Sequence, residues 1–417
     1  MKAGGFSYLP FHGHMLFSQL NTTRMNNTTI DRNIRAYRTF SIFRTSPFWG
    51  PVLILYIAEI GHMSLSDIYL MESVVLIVTF FFEIPTGAIA DMIGRKRMIM
   101  FGTVVDFLGM SIFAFGEGPT AMWVGNITVM IGSACISGSD ISLLHDSLAQ
   151  QNRGHMFRKI VGQGSAGMIA LETFGALATG FLATIHLRLP IIAGLPFLII
   201  SLVSACTFIE PPVTQKYICM RTRLKDIVEG GRIVFRNTHV LWIIGFSCLV
   251  SIVMKISFFS YNPYFQEVRL DLPLYGVVLF VAGGISWVGS RFSHHMDGHK
   301  RERISIILLV TVLSFPFLLM GLFPTKTSIL CISGFALARG FAPPLIAELF
   351  NREIPSASRS TINSVKSSAS LLAQTITLGI YGLAIGVYPL TVCLIGFGVL
   401  VCSVGIYLIH TYRPKTR

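Results

Sequence analysis

The chain has 417 residues, of which 52% are hydrophobic and 13% charged, with a mean hydropathy of +0.65 and a formal charge of +13. Soluble domains carry about a quarter charged residues, so an ordinary water-soluble fold is excluded. A nucleic-acid reading of the positive charge is excluded by its placement: basic residues gather in the short segments between long apolar runs.

Those runs are about 20 residues long, the length a helix needs to cross a bilayer. Twelve spans are expected: 38–60, 66–90, 98–117, 120–146, 159–184, 189–209, 240–264, 271–292, 303–323, 327–350, 361–387 and 389–411. Residues 1–33 read as a polar cytoplasmic tail without a signal-peptide core, in which Met25 offers a second start. The segment 210–239 opens with Glu210-Pro211-Pro212, carries an amphipathic stretch at Leu224–Phe235, and divides the spans six and six. The bundles are then 34–209 and 240–411, with a short tail at 412–417. If the N-terminus is inside, 28 of the 33 lysines and arginines fall on inner segments, and only Arg188, Arg269 and Lys326 fall outside. The positive-inside rule therefore predicts both termini in the cytoplasm.

Span 2 ends in Glu83-Ile84-Pro85-Thr86-Gly87, followed by Asp91, Gly94, Arg95, Lys96 and Arg97. Gly87 permits close helix approach. Asp91 can accept hydrogen bonds from a helix N-terminus, with Ser358-Arg359-Ser360-Thr361 at the start of span 11 as the expected partner. Glu83, within the membrane, is read first as a paired structural acid and second as a proton carrier. Gly289, Ser293 and Gly298-His299-Lys300-Arg301 repeat the joint in degenerate form after span 8.

Charges inside spans usually face a cavity or one another. Asp106, Asp140 and Glu172 lie in the first half, with Lys255 and Arg339 in the second. Asp106, in span 3, is read as bonding a neighbouring helix. Ser165, Glu172 and Thr179 recur every seven residues and share a face, as do Lys255 and Asn262. The expectation is that Glu172 or Asp140 faces Arg339 or Lys255 across the cavity. Such a pair is either a switch broken by a proton or substrate, or a static buried pair.

His294, His295, Asp297 and His299 match no metal-ligand spacing, and no C-x-x-C, Walker loop, G-x-S-x-G or H-E-x-x-H occurs. The chain is expected to be neither an enzyme nor a holder of a metal or cofactor.

The 87–97 motif, its echo after span 8 and the six-plus-six spans resemble the major facilitator superfamily over residues 34–411. The resemblance implies an all-α integral membrane protein with twelve transmembrane helices in two pseudo-symmetric bundles. It also implies a cavity lined by spans 1, 4, 7 and 10, and a motif that holds the halves shut on the cytoplasmic face. At the loops, Asp146 and Arg153 are similar to the acidic–basic pair that the superfamily places there, which implies that they pair, with Glu348, Asn351, Arg352 and Arg359 as their counterpart. Tyr261-Asn262-Pro263-Tyr264 resembles a segment at the cavity mouth of related exporters. The antiporter branches carry an arginine in span 4 where this chain has Asn126–Gly132, and a glycine-proline signature in span 5 that is missing here. The function expected is alternating-access transport of a small solute by a monomer in a bacterial inner membrane. Proton-coupled export of an organic compound leads, with uptake of a metabolite or iron-chelate as the alternative. A transporter-like receptor or scaffold is the rival of another class.

Overall fold

The computed structural model describes residues 25–212, 231–232, 234, 237–293, 299–354 and 359–412. Among them are fourteen α-helices. The first half comprises α1 (Asn27–Phe43), α2 (Leu53–Gly61), α3 (Leu65–Ile93), α4 (Arg95–Phe115), α5 (Gly118–Ile136), α6 (Ser139–Ala149), α7 (Phe157–Ile185) and α8 (Leu189–Thr207). The second comprises α9 (Thr238–Glu267), α10 (Leu272–Ser293), α11 (His299–Leu322), α12 (Ile332–Glu353), α13 (Arg359–Val387) and α14 (Leu390–Thr411).

Among the described residues, eleven spans are long and apolar enough to cross a membrane. Large apolar side chains such as Phe81, Phe174, Trp287, Ile380 and Tyr407 stay more than 60% exposed. Water would penalise that surface heavily, whereas lipid accepts it.

Two expected elements differ. The first span, read as one helix over 38–60, is broken into α1 and α2, because Pro47, Gly50 and Pro51 interrupt it. Each proline removes a backbone donor and crowds the preceding turn. Helix α1 also starts at Asn27, inside the segment read as tail. Its buried face is Ile30, Asn33, Ile34 and Tyr37, while Asp31, Arg32 and Arg35 point outward and lower its overall hydropathy. The fourth span is likewise interrupted between α5 and α6 at Gly138, whose φ is +77°.

The end of the bundle carrying Arg95, Lys96 and Arg97 is called here the basic end. The halves meet chiefly through α3 against α13 and α7 against α10. Hydrogen bonds between the halves cluster toward the opposite end: Ser66 Oγ donates to Gly382 O (2.8 Å), Ser73 Oγ to Thr375 O (2.8 Å), and Tyr69 meets Ser260 (3.1 Å). On the other flank Gly276 and Gly180 allow backbone contact, with a Cβ on Gly276 falling 2.1 Å from Ala176 O. Toward the basic end of α3, Phe81, Phe82, Glu83 and Met92 are exposed. The described contacts thus close the bundle at the opposite end.

Candidate functional site

The break in the first span leaves backbone groups at membrane depth, where each needs a partner. Both halves supply one. Asn262 Oδ1 accepts from Ile54 N (3.1 Å) and Leu55 N (3.3 Å), two donors in the first turn of α2, and its Nδ2 donates to Pro51 O (2.9 Å). From α7, Thr179 Oγ1 donates to Phe48 O (2.8 Å) and Glu172 accepts from Thr45 Oγ1 (3.2 Å). The seven-residue face of α7 thus serves the break. Replacing Asn262 by leucine is expected to orphan three buried groups, Ile54 N, Leu55 N and Pro51 O, and to lower stability by several kcal/mol, at roughly 1–3 kcal/mol for each. Thermal unfolding of the detergent-solubilised protein measures it.

Two helix turns beyond the start of α3, buried Glu72 meets Lys255 of α9: Lys255 Nζ lies 2.5 Å from Glu72 Oε1. Asn126 Nδ2 donates to the other oxygen, Oε2, at 3.3 Å. Asn126 stands in the stretch where antiporter branches carry arginine, so here the acid's cation comes from the second half. The Lys255 ammonium also sits 4.8 Å from the centre of the Phe259 ring, a favourable cation–π placement. Beside this pair lies a cavity of about 110 Å³ whose walls include Trp49, Met110, Phe113, Met130 and Phe258. Its chemistry is apolar and polarisable, with one acid and one base at its edge.

The expected cross-cavity partners are therefore corrected. Lys255 does face an acid of the first half, but the acid is Glu72 and neither Asp140 nor Glu172. Asp140 is held within its own half by Arg44 (3.1 Å) and by Ile141 N (2.7 Å). Arg339 is exposed on α12. Asp106 is buried on α4 where Gly132 of α5 packs against its backbone. Sequence reasoning passed over Glu72, although a glutamate seven residues into an apolar span is itself a signal.

At the basic end the expected Asp146–Arg153 pair is not formed. Asp146 takes Arg95, with His145 at 3.3 Å, while Arg153 reaches Asp31 of α1 at 2.8 Å. The chain reverses at Asn152, whose φ is +55°, and carries Arg153 away from Asp146. Arg95 N and Lys96 N, at the start of α4, donate to the two oxygens of Glu210 (2.8 and 2.6 Å). A carboxylate suits that helix end. Gly94, at φ +99°, is needed there: a side chain would be strained and would crowd the Glu210 carboxylate at 3.3 Å. Gly87 and Asp91 lie in the last turns of α3, and Arg97 is exposed. Ser358 and the side chains of Arg359, Ser360 and Thr361 lie outside the described residues, as do His294, His295 and Asp297.

In the second half Arg352 forms a two-pronged pair with Glu302 (3.0 and 2.8 Å), which also accepts from the Tyr412 hydroxyl. Burial first, and then that carboxylate, push the Tyr412 phenol up. Glu348 is exposed one turn earlier on α12.

Two helical bundles, joined at one end and sharing an ion pair beside an internal cavity, define a helical membrane carrier. Residues 40–378 match the family described as Major Facilitator Superfamily, and the chain belongs to it. It is a multi-pass secondary transporter of a small solute, in a family whose members are not enzymes. It is similar to the uncharacterized MFS-type transporter YxaM of Bacillus subtilis (strain 168), with 20% identity over 88% of this chain and 92% of that protein. It also resembles the multidrug resistance protein MdtH of Photorhabdus laumondii, with 22% identity over 59% of this chain and 60% of that protein. Among solved structures, the nucleoside transporter NupG matches with a TM-score of 0.70 and 13% identity over 93% of this chain and 100% of that one. A D-xylose-proton symporter matches with a TM-score of 0.71 and 12% identity over 91% and 97%. At those identities the likeness is one of fold.

Proposed function

We propose that this transporter exports an amphipathic organic compound in exchange for protons, with Glu72 as the group for which proton and solute compete. The observation that carries the reading is the Glu72–Lys255 pair, which links the halves at the edge of an aromatic and thioether-lined cavity. An apolar wall with one buried acid suits a flat organic cation. A proton on Glu72, or a cationic solute against it, removes the attraction to Lys255 and biases the two-state equilibrium of the halves. Competition of two ligands for one carboxylate is the physical requirement for exchange. The multidrug-resistance relatives support the outward direction.

The placement of lysine and arginine supports a cytoplasmic basic end, with both termini inside. In that orientation the described arrangement is closed to the exterior. The Asp91–Arg95 motif would then fasten the inner face in the opposite state, where α3 and the start of α13 approach. In this state Glu210 and Asp146 occupy the motif's helix end and its arginine. The described charge pairs at this end, Arg95–Asp146, Arg153–Asp31 and Arg352–Glu302, each lie within one half, so none of them ties the two halves together.

The test is flux in proteoliposomes. With ethidium as the organic-cation probe, an imposed pH gradient is expected to drive its movement against its own gradient, and Glu72→Gln is expected to abolish that response. Ethidium movement indifferent to the gradient, or a Glu72→Gln variant that keeps full coupling, overturns the reading. A receptor or scaffold would move no solute at all.

A further inference from the structure

We propose that the groove between α1 and α8 at the basic end is a binding site for an anionic phospholipid drawn from the adjoining leaflet. The groove is an open depression of about 480 Å³ on the surface of the bundle, walled by helices of the first half alone, apart from the transport cavity. Its mouth carries Arg32 and Arg35, three residues apart on one exposed face of α1. Arg32 Nε donates to Thr207 O at 2.9 Å, which lays the guanidinium across the groove. Among the described residues neither arginine has an ion-pair partner. The nearby Asp31 carboxylate is engaged by Arg153. Two guanidiniums one turn apart match a phosphodiester, which each can grip with paired donors.

The groove's polarity runs in the order of a lipid. Helix α8 reaches the basic end at Thr207, level with Arg32. Val203 and Ile200 lie four and seven residues back, roughly 6 and 10 Å deeper at the α-helical rise. They are 60% and 42% exposed. Headgroup-binding cations at the surface with open aliphatic side chains beneath fit an acyl-chain amphiphile better than a free anion. The chain's own first 24 residues suit the groove poorly, since they carry Lys2 and Arg24 and no acidic residue. The site is independent of which solute is carried.

The experiment uses the full chain in neutral detergent, titrated with phosphatidylglycerol, phosphatidylcholine or inorganic phosphate, with retained lipid read by native mass spectrometry. Phosphatidylglycerol is expected to bind in preference to phosphatidylcholine, and inorganic phosphate is expected not to displace it. Arg35→Gln, which removes no recorded hydrogen bond, is expected to weaken phosphatidylglycerol binding about fivefold, and Arg32→Gln with Arg35→Gln about 25-fold, at the usual worth of a basic residue near an anionic surface. Arg303→Gln, an exposed arginine of the second half, is expected to change nothing. Unaltered binding in both groove variants, an equal loss in Arg303→Gln, or displacement by inorganic phosphate overturns the proposal.

Discussion

Replacing Lys255 by methionine is expected to uncouple transport from the pH gradient and to destabilise the protein. The substitution keeps most of the side-chain volume and removes the cation, leaving Glu72 with Asn126 as its remaining partner. Breaking a fully buried pair from one side costs roughly 3–5 kcal/mol. Because the Lys255 side chain is 25% exposed to the cavity, about 1–3 kcal/mol is the better expectation. Gradient-driven ethidium flux should fall at least about tenfold, the factor that 1.4 kcal/mol represents. The double variant Glu72→Gln with Lys255→Met should recover stability without recovering coupling, since no buried charge then lacks a partner. Thermal unfolding and proteoliposome flux separate the two effects. Coupled flux that survives in Lys255→Met removes the pair from the mechanism.

Gly276→Leu is the second substitution with a large expected effect. A Cβ there would sit 2.1 Å from Ala176 O, a backbone atom that cannot turn aside. The contact belongs to the seal between α7 and α10. Overpacking of this kind costs roughly 1–3 kcal/mol, and it falls on the closed arrangement alone. The equilibrium should therefore shift toward separation at the opposite end by about five- to 150-fold. A disulfide reports it. A Cβ on Gly379 would lie 3.9 Å from Ser73 Cβ, within the usual range for a cystine. With the seven native cysteines replaced, Ser73→Cys with Gly379→Cys should cross-link readily, and adding Gly276→Leu should reduce the yield. An undiminished yield would mean that the α7–α10 contact does not control the seal.

The architecture was legible in the sequence because length and hydropathy act locally. Most apolar runs declare a membrane-crossing helix by themselves, and eleven such stretches stand among the described residues. The first span shows where this fails. Counting apolar residues over 38–60 overrides Pro47, Gly50 and Pro51, although each is a known interruption. At the site, spacing singled out Lys255 and Asn262 on one face of α9, and both reach the other half. Their partners could not be read, because Glu72 is 183 residues from Lys255 and Pro51 is 211 from Asn262. No local pattern encodes a contact of that range. The loop charges failed for another reason. Asp146 and Arg153 are near in sequence, but a left-handed residue between them sends one to α4 and the other to α1.

The stitching of the broken span has one more consequence. Asn262 belongs to the half that must swing away when the end opposite the basic end opens, while Pro51, Ile54 and Leu55 stay behind. Opening thus unmasks a carbonyl and two amides on one wall and a carboxamide on the other, all of which bind water well. The new passage would be hydrated as it forms, so the released backbone groups find solvent in place of the side chain they lose. A helix unbroken at that depth would keep its amides and carbonyls paired within itself and offer the opening passage no free backbone groups to hydrate.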